Sequence, residues 1–225
     1  MEKKKEIAKS NRSERRHASQ RDLAYEEVKR RIIDLTYKPG SYLNEAMIND
    51  DLEFGKTPVR QAIDQLRLEG MLDVMPRKGL IVRPISYEEI RQIADVRLEL
   101  ESYCAGLAAE RISENELQEL DDLLLNARTA ADAHDTVSLM ELDRKFHNLI
   151  SEAANNPVLG SLLSGLHDRS LRFWFITLSK PKHAAEILKE HCEIVDSLKA
   201  RDSQRAREAA KTHIRSFLSS IFGGL

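Results

Sequence analysis

Asp143 and His147 stand one helical turn apart on a segment whose apolar stripe runs Leu139, Leu142, Phe146, Ile150. An i, i+4 pair of this kind presents both heads to one point. His191 falls on the stripe Ile187, Leu188, Val195, Leu198, and His213 on the stripe Ala206, Ala210, Ile214, Phe217. Three helices thus each turn a metal-type ligand toward a core. Imidazole nitrogens with one carboxylate suit zinc or nickel first and iron or manganese next, with solvent or a ligand in the open positions. A lone histidine on an apolar face is ordinarily a satisfied core residue. Buried polar groups need partners, so on periodicity alone a metal site and a set of satisfied core histidines remain two readings. His17, His134, His167 and His183 fall in the N-terminal arm, near breaks or at helix starts, and His167 is the rival ligand among them.

Arg97 poses the same question on the stripe Ile90, Ile93, Ala94, Leu100, Cys104, Leu107, with Glu101 one turn later. A guanidinium does not shed its proton to suit a dry interior. It must find an anion, either Glu101 or a bound ligand, and the residues alone favour the internal salt bridge.

A different chemistry is written into residues 41–83. Gly55, Lys56, Thr57 and Pro58 sit together at the start of an apolar-periodic run, and proline is tolerated in a first helical turn because its missing N–H would have no partner there. Lys56 and Thr57 therefore project from a helix N-terminus, which favours phosphate, and Arg60, one turn on, can reach phosphate or guanine in a major groove. Ile63, Leu66 and Met71 hold the other side in the core. After Gly70, two apolar runs flank Pro76-Arg77-Lys78-Gly79, a hairpin tip with two cations. Two short helices and a basic hairpin at these spacings outline a winged helix-turn-helix, against the alternative of a small α/β module with a solvated charged face.

The elements that must hold these residues fall in two halves. From Ser86 onward apolar residues recur every three or four positions, broken at Ser113, Asp135, Asn155-Asn156-Pro157, Pro181 and Asp202-Ser203. Helices are expected at 86–110, 114–133, 136–154, 158–178, 182–200 and 204–222, an all-α bundle. The fold class is mainly α, with residues 1–21 expected as a disordered basic arm, 22–85 as the winged helix-turn-helix, and 86–222 as an all-helical domain, to which the resemblance given below assigns ligand binding and dimerisation.

Composition agrees. The chain of 225 residues is 41% hydrophobic and 32% charged, enough for two ordinary domains. No apolar run approaches the roughly 20 residues of a membrane span, and the N-terminus is charged, so a cytoplasmic protein is expected. Cys104 and Cys192 imply no disulfide framework. The net charge of −2 hides an asymmetry: residues 1–85 carry 18 basic and 14 acidic side chains, residues 86–225 carry 17 and 23. Only the first half has the sign that attracts a phosphate backbone. Its arm, with 8 basic and 3 acidic residues in 1–21, is either a solubilising tail or a DNA-contacting one.

These residues resemble a family. From about Leu23 to Val82, Lys38-Pro39-Gly40, Thr57-Pro58-Val59-Arg60, Leu66-Arg67-Leu68-Glu69-Gly70 and Arg77-Lys78-Gly79 resemble the DNA-binding domain of GntR-type bacterial transcription regulators. The resemblance implies DNA contacts from Lys56, Thr57, Arg60, Arg77, Lys78 and Gly79. Ala46 and Lys56 stand where the family usually has arginine, and lysine lacks the bidentate fork to guanine, so the family's base preference is not carried over. Residues 91–218 resemble the all-helical FCD effector domain of the fatty-acid-regulator-like subgroup, through Val96-Arg97-Leu98-Glu99-Leu100-Glu101, Asp143-Arg144-Lys145-Phe146-His147, Ala154-Asn155-Asn156-Pro157, Glu190-His191 and His213. That resemblance implies a divalent metal on Asp143, His147, His191 and His213, and a small organic acid held with the help of Arg97. The expected protein is a homodimeric, ligand-responsive regulator, a repressor by resemblance, on a palindromic double-stranded DNA operator, and not an enzyme. The rivals are a metal-dependent hydrolase, which would need a general base such as Glu101 beside the ion, and a metal-free DNA-architectural protein with a dry bundle core.

Overall fold

A computed structural model describes residues 19–177 and 181–222. The expected arm lies outside the described residues up to position 18, and a helix begins at Gln20, inside its expected span. Two compact units part between Pro84 and Ile85.

In the first unit, α1 (Gln20–Ile33) is started by a capping box between Ser19 and Asp22 and buries Ala24, Val28, Ile32 and Ile33. Strand β1 (Tyr42–Leu43) precedes α2 (Glu45–Leu52), whose N-cap Asn44 accepts from the Met47 amide at 2.8 Å. Helix α3 (Lys56–Leu68) buries Val59, Ala62, Ile63 and Leu66 and is closed at Gly70, where φ is +72°. Strands β2 (Leu72–Met75) and β3 (Gly79–Val82) form the expected hairpin. The third strand was not legible: two-residue β1 pairs with β3, Leu43 opposite Leu80, giving the order β1-β3-β2. That pairing accounts for Gly79. Its φ is +93°, and a Cβ there would lie 2.8 Å from the Leu43 carbonyl oxygen, a backbone atom that β1 holds in place. Gly79→Ala should therefore cost about 1–3 kcal/mol of stability, read as a lowered midpoint in thermal unfolding; an unchanged midpoint would show that β1 gives way freely.

The second unit is helical: α4 (Tyr87–Arg111), α5 (Glu114–Asp132), α6 (Thr136–Ala153), α7 (Pro157–Thr177), α8 (Pro181–Lys199) and α9 (Ser203–Phe222). Each lies within a residue or two of its expected span. The offsets have a cause in capping. Ser86 is the N-cap of α4, accepting from the Glu89 amide at 3.0 Å, and not its first residue. Pro157 occupies the first helical position behind Asn156, whose side chain accepts from the Leu159 amide at 3.2 Å. Helix α4 runs against α9. The core gathers Leu117, Leu120, Phe146, Ile150, Val195, Leu198 and Ala210 from α5, α6, α8 and α9. Leu120 and Leu198 are fully buried, each worth about 1.5–3 kcal/mol of transfer free energy.

Candidate functional site

The first unit places Lys56, Thr57 and Arg60 on the exposed side of α3, opposite Val59, Ala62, Ile63 and Leu66. The N-cap is Gly55, which offers no side chain to the first-turn amides. Those amides and the dipole end remain available to an anion. Lys56, Arg60 and Arg77 have no ion-pair partner among the described residues, whereas Arg67 pairs with Asp64 at 3.2 Å and Arg31 with Asp51 at 2.9 Å. Arg77 and Lys78 are exposed at the hairpin tip, closed by the Lys78 amide donating to Met75 at 3.0 Å. Arg77 adopts φ +64°, and Lys78 Nζ lies 5.6 Å from the centre of the Tyr42 ring. Gly79 has its structural reason in β1. Ala46 and Met47 are exposed on α2, so no cation stands there.

In the second unit Asp143, His147, His191 and His213 converge inside the bundle. Asp143 Oδ1 lies 3.5 Å from His191 Nε2 and 3.8 Å from His147 Nε2. Ligand atoms of His147, His191 and His213 lie within 4.8 Å of one another. Metal–nitrogen bonds of about 2.0–2.1 Å put neighbouring ligand atoms roughly 3–4 Å apart, so a contraction of about an ångström closes a coordination sphere. The donor chemistry fits. Nε2 of His147 and of His191 is buried with no hydrogen-bond partner. Nδ1 of His213 is bonded to Glu190 Oε2 at 2.9 Å, and Nδ1 of His147 faces Glu101 Oε2 at 3.5 Å. A carboxylate behind a histidine fixes the ring and leaves Nε2 free to ligate. The His191 ring stacks on Phe146 with centres 4.1 Å apart.

The electrostatics favour the ligating protonation states. Burial pushes the His191 imidazole down to about 3, with His213 and His167 adding to the effect and Asp143 opposing it. Burial also holds His147 well below the ordinary range, helped by His167, His213, His191 and Arg97. For Asp143 burial acts upward, but the adjacent His167 with His191 and His213 outweighs it, and the carboxyl stays below its usual value. At neutral pH His147 and His191 thus offer neutral imidazoles and Asp143 a carboxylate.

Arg97 is buried and donates from Nε to Glu101 Oε1 at 2.5 Å, so the internal salt bridge forms. Its guanidinium also faces Phe217 at 5.5 Å and lies 3.4 Å from His167 Nδ1. Arg97, Asp143, His147, His167, His213 and Phe217 line one small cavity of about 20 Å³. Glu101, the base that a hydrolase would have required, is engaged by Arg97. The polar cluster also removes the dry core that an architectural protein would have shown.

Three residues went beyond the sequence reading. His167 on α7 lies with Nε2 3.0 Å from Asp143 Oδ2, near but off the hydrogen-bond axis. Glu101 and Glu190 act as the carboxylates behind His147 and His213. Glu190, half-buried beside His191 on α8, reaches His213 of α9, a contact between helices that periodicity does not signal. His183 is buried, not merely at a helix start, while His134 is exposed at φ +55° after α5.

Comparison with known proteins bears on both units. Residues 20–82 match the family described as bacterial regulatory proteins, gntR family, and residues 92–216 match the FCD domain. The uncharacterized HTH-type transcriptional regulator YdhC of Bacillus subtilis is 28% identical over 192 residues, 84% of either chain. The HTH-type transcriptional repressor RspR of Escherichia coli is 24% identical over 88% of this chain and 86% of its own. Among solved structures, E. coli McbR/YncC superposes with a TM-score of 0.83 at 23% identity, over 92% of this chain and 99% of that one.

Proposed function

We propose a function that proceeds from one premise: the chain belongs to the GntR family of bacterial regulatory proteins, carries an FCD domain after its winged helix-turn-helix, and is a DNA-binding transcription regulator, not an enzyme. In this reading it acts in the cytoplasm as a homodimer on a two-fold symmetric operator, as dimeric helix-turn-helix proteins do. Lys56, Thr57 and Arg60 enter the major groove, and Arg77 and Lys78 follow the backbone. The FCD bundle holds one divalent ion on Asp143, His147, His191 and His213. That ion supplies a second positive centre across the cavity from Arg97. A small organic acid, a hydroxy acid in particular, would bind between them, its carboxylate on the guanidinium fork. The ligand must bind DNA-competent and DNA-incompetent states unequally to regulate anything. Repression relieved by ligand is the preferred direction, since relatives such as RspR and GlaR of E. coli are named repressors.

The observation that carries this reading is the pairing of unneutralised cations on α3 and the hairpin with a buried imidazole and carboxylate cluster beside Arg97. Arg60→Ala should weaken binding to the protein's own operator by more than about tenfold and reduce the salt slope by about one. The variant should remain folded, since Arg60 is exposed and contributes nothing to the core. A gel-shift titration across salt concentrations reads both quantities. Equal affinity and slope for the two proteins would show that α3 does not read DNA in this way.

A further inference from the structure

The partners of the imidazoles around Asp143 do not call for one tautomer throughout. A neutral imidazole that ligates a metal through Nε2 carries its proton on Nδ1 and needs an acceptor there. His147 and His213 have one each, in Glu101 at 3.5 Å and Glu190 at 2.9 Å. His167 is turned the other way. Its Nδ1 lies 3.4 Å from a terminal amino nitrogen of Arg97, and a guanidinium offers donors only. Nδ1 must accept, so the proton sits on Nε2, the atom 3.0 Å from Asp143 Oδ2. Arg97 itself is held in place by Glu101 at 2.5 Å and by the face of Phe217.

We propose that His167 is not a ligand of the metal but an Nε2–H donor on the anion-binding side of the centre, its proton placed by Arg97 facing Nδ1, positioning Asp143 for the ion. The proposal rests on the metal reading given above. Proximity alone would group Glu101, His147 and His167 as an alternative cation site. Chemistry speaks against that grouping, because Glu101 has Oε1 on Arg97 and Oε2 toward His147 Nδ1, and the His167 nitrogen nearest Asp143 carries a proton where a ligand needs a lone pair. An anion entering beside Arg97 would then meet two donors, the guanidinium and His167 Nε2–H. The incomplete alignment of that N–H with Asp143 leaves it free to be shared.

Long-range proton–nitrogen correlation spectra of the full-length, metal-stripped protein labelled with 15N-histidine test this directly, with zinc as the probe. The His167 signals, identified by their loss in His167→Gln, are expected to show the Nε2–H form, and those of His147 and His213 the Nδ1–H form. Zinc should shift Nε2 of His147, His191 and His213 and leave His167 protonated at Nε2. An Nδ1–H form for His167, or zinc bound to its Nε2, overturns the proposal. If no ring responds to zinc, the metal reading itself falls and the non-ligand role falls with it, an outcome distinct from His167 ligating. As a second readout, His167→Ala should keep full zinc stoichiometry with affinity weakened about 10–100-fold, and His167→Gln, whose amide still donates, should recover most of it. Loss of stoichiometry in His167→Gln would mark a ligand and sink the idea.

Discussion

Purified without chelators, the wild-type protein should carry about one divalent ion per chain, and the His191→Ala, His213→Ala double variant close to none, measured by plasma mass spectrometry. The expectation rests on where the remaining donors stand. Removing two imidazoles leaves Asp143 and His147, one turn apart on α6, and two donors hold a borderline ion far less well than four. It also strands Glu190, whose partner is His213. The outcome that would sink the site is stoichiometric metal in the double variant, which would move the ion to Glu101, His147 and His167. Zinc and nickel head the expected occupants because the set is rich in nitrogen, with one hard oxygen and no sulfur. The nearby Cys104 does not change that, since burial, with Glu101 close by, pushes its thiol up to about 12.

Arg97→Ala should abolish the response to an organic acid while leaving operator affinity intact, giving a regulator fixed in one state. Calorimetry with a panel of central-metabolism acids, on wild type and variant, reads the first half, and gel shift the second. The alanine also removes the partner of a buried carboxylate, and breaking a buried pair costs about 3–5 kcal/mol. Arg97→Lys is therefore the companion variant. It keeps the charge beside Glu101 but loses the planar fork, so the fold should persist while ligand affinity falls about tenfold or more. An acid that binds both variants as tightly as wild type would reduce Arg97 to the internal salt bridge with Glu101.

Sequence carried the outline of both units because each signal was local. Asp143 and His147 share a turn, and His191 and His213 interrupt clean apolar stripes, so one period was enough to turn them inward. Helix α7 gave no such signal. His167, Asp168, Ser170 and Arg172 are all buried along it together with Leu163, Leu171 and Trp174. A helix enclosed on several sides has no single apolar face against which an inward histidine stands out. Strand β1 escaped for a different reason: two residues are too short for any alternation to show, and the clue to it was Gly79, 36 residues beyond Leu43. Arg97 was read correctly as needing an anion, but no periodicity could reveal that its guanidinium would touch both Glu101 and His167.

The donor set is unevenly distributed along the chain, so its parts depend on different levels of structure. Asp143 and His147 are juxtaposed by α6 alone, while His191 and His213, 44 and 66 residues beyond His147, join them only through the packing of α8 and α9. A partly folded bundle can therefore offer an ion two neighbouring donors and no more. A complete sphere on these residues would exist only in the finished tertiary structure, so an ion bound there would draw almost all its selectivity from the native state. At free metal 1,000-fold above its dissociation constant, such binding would add about 4 kcal/mol to native stability, and the unfolding temperature of this domain would become a gauge of the metal available to the cell.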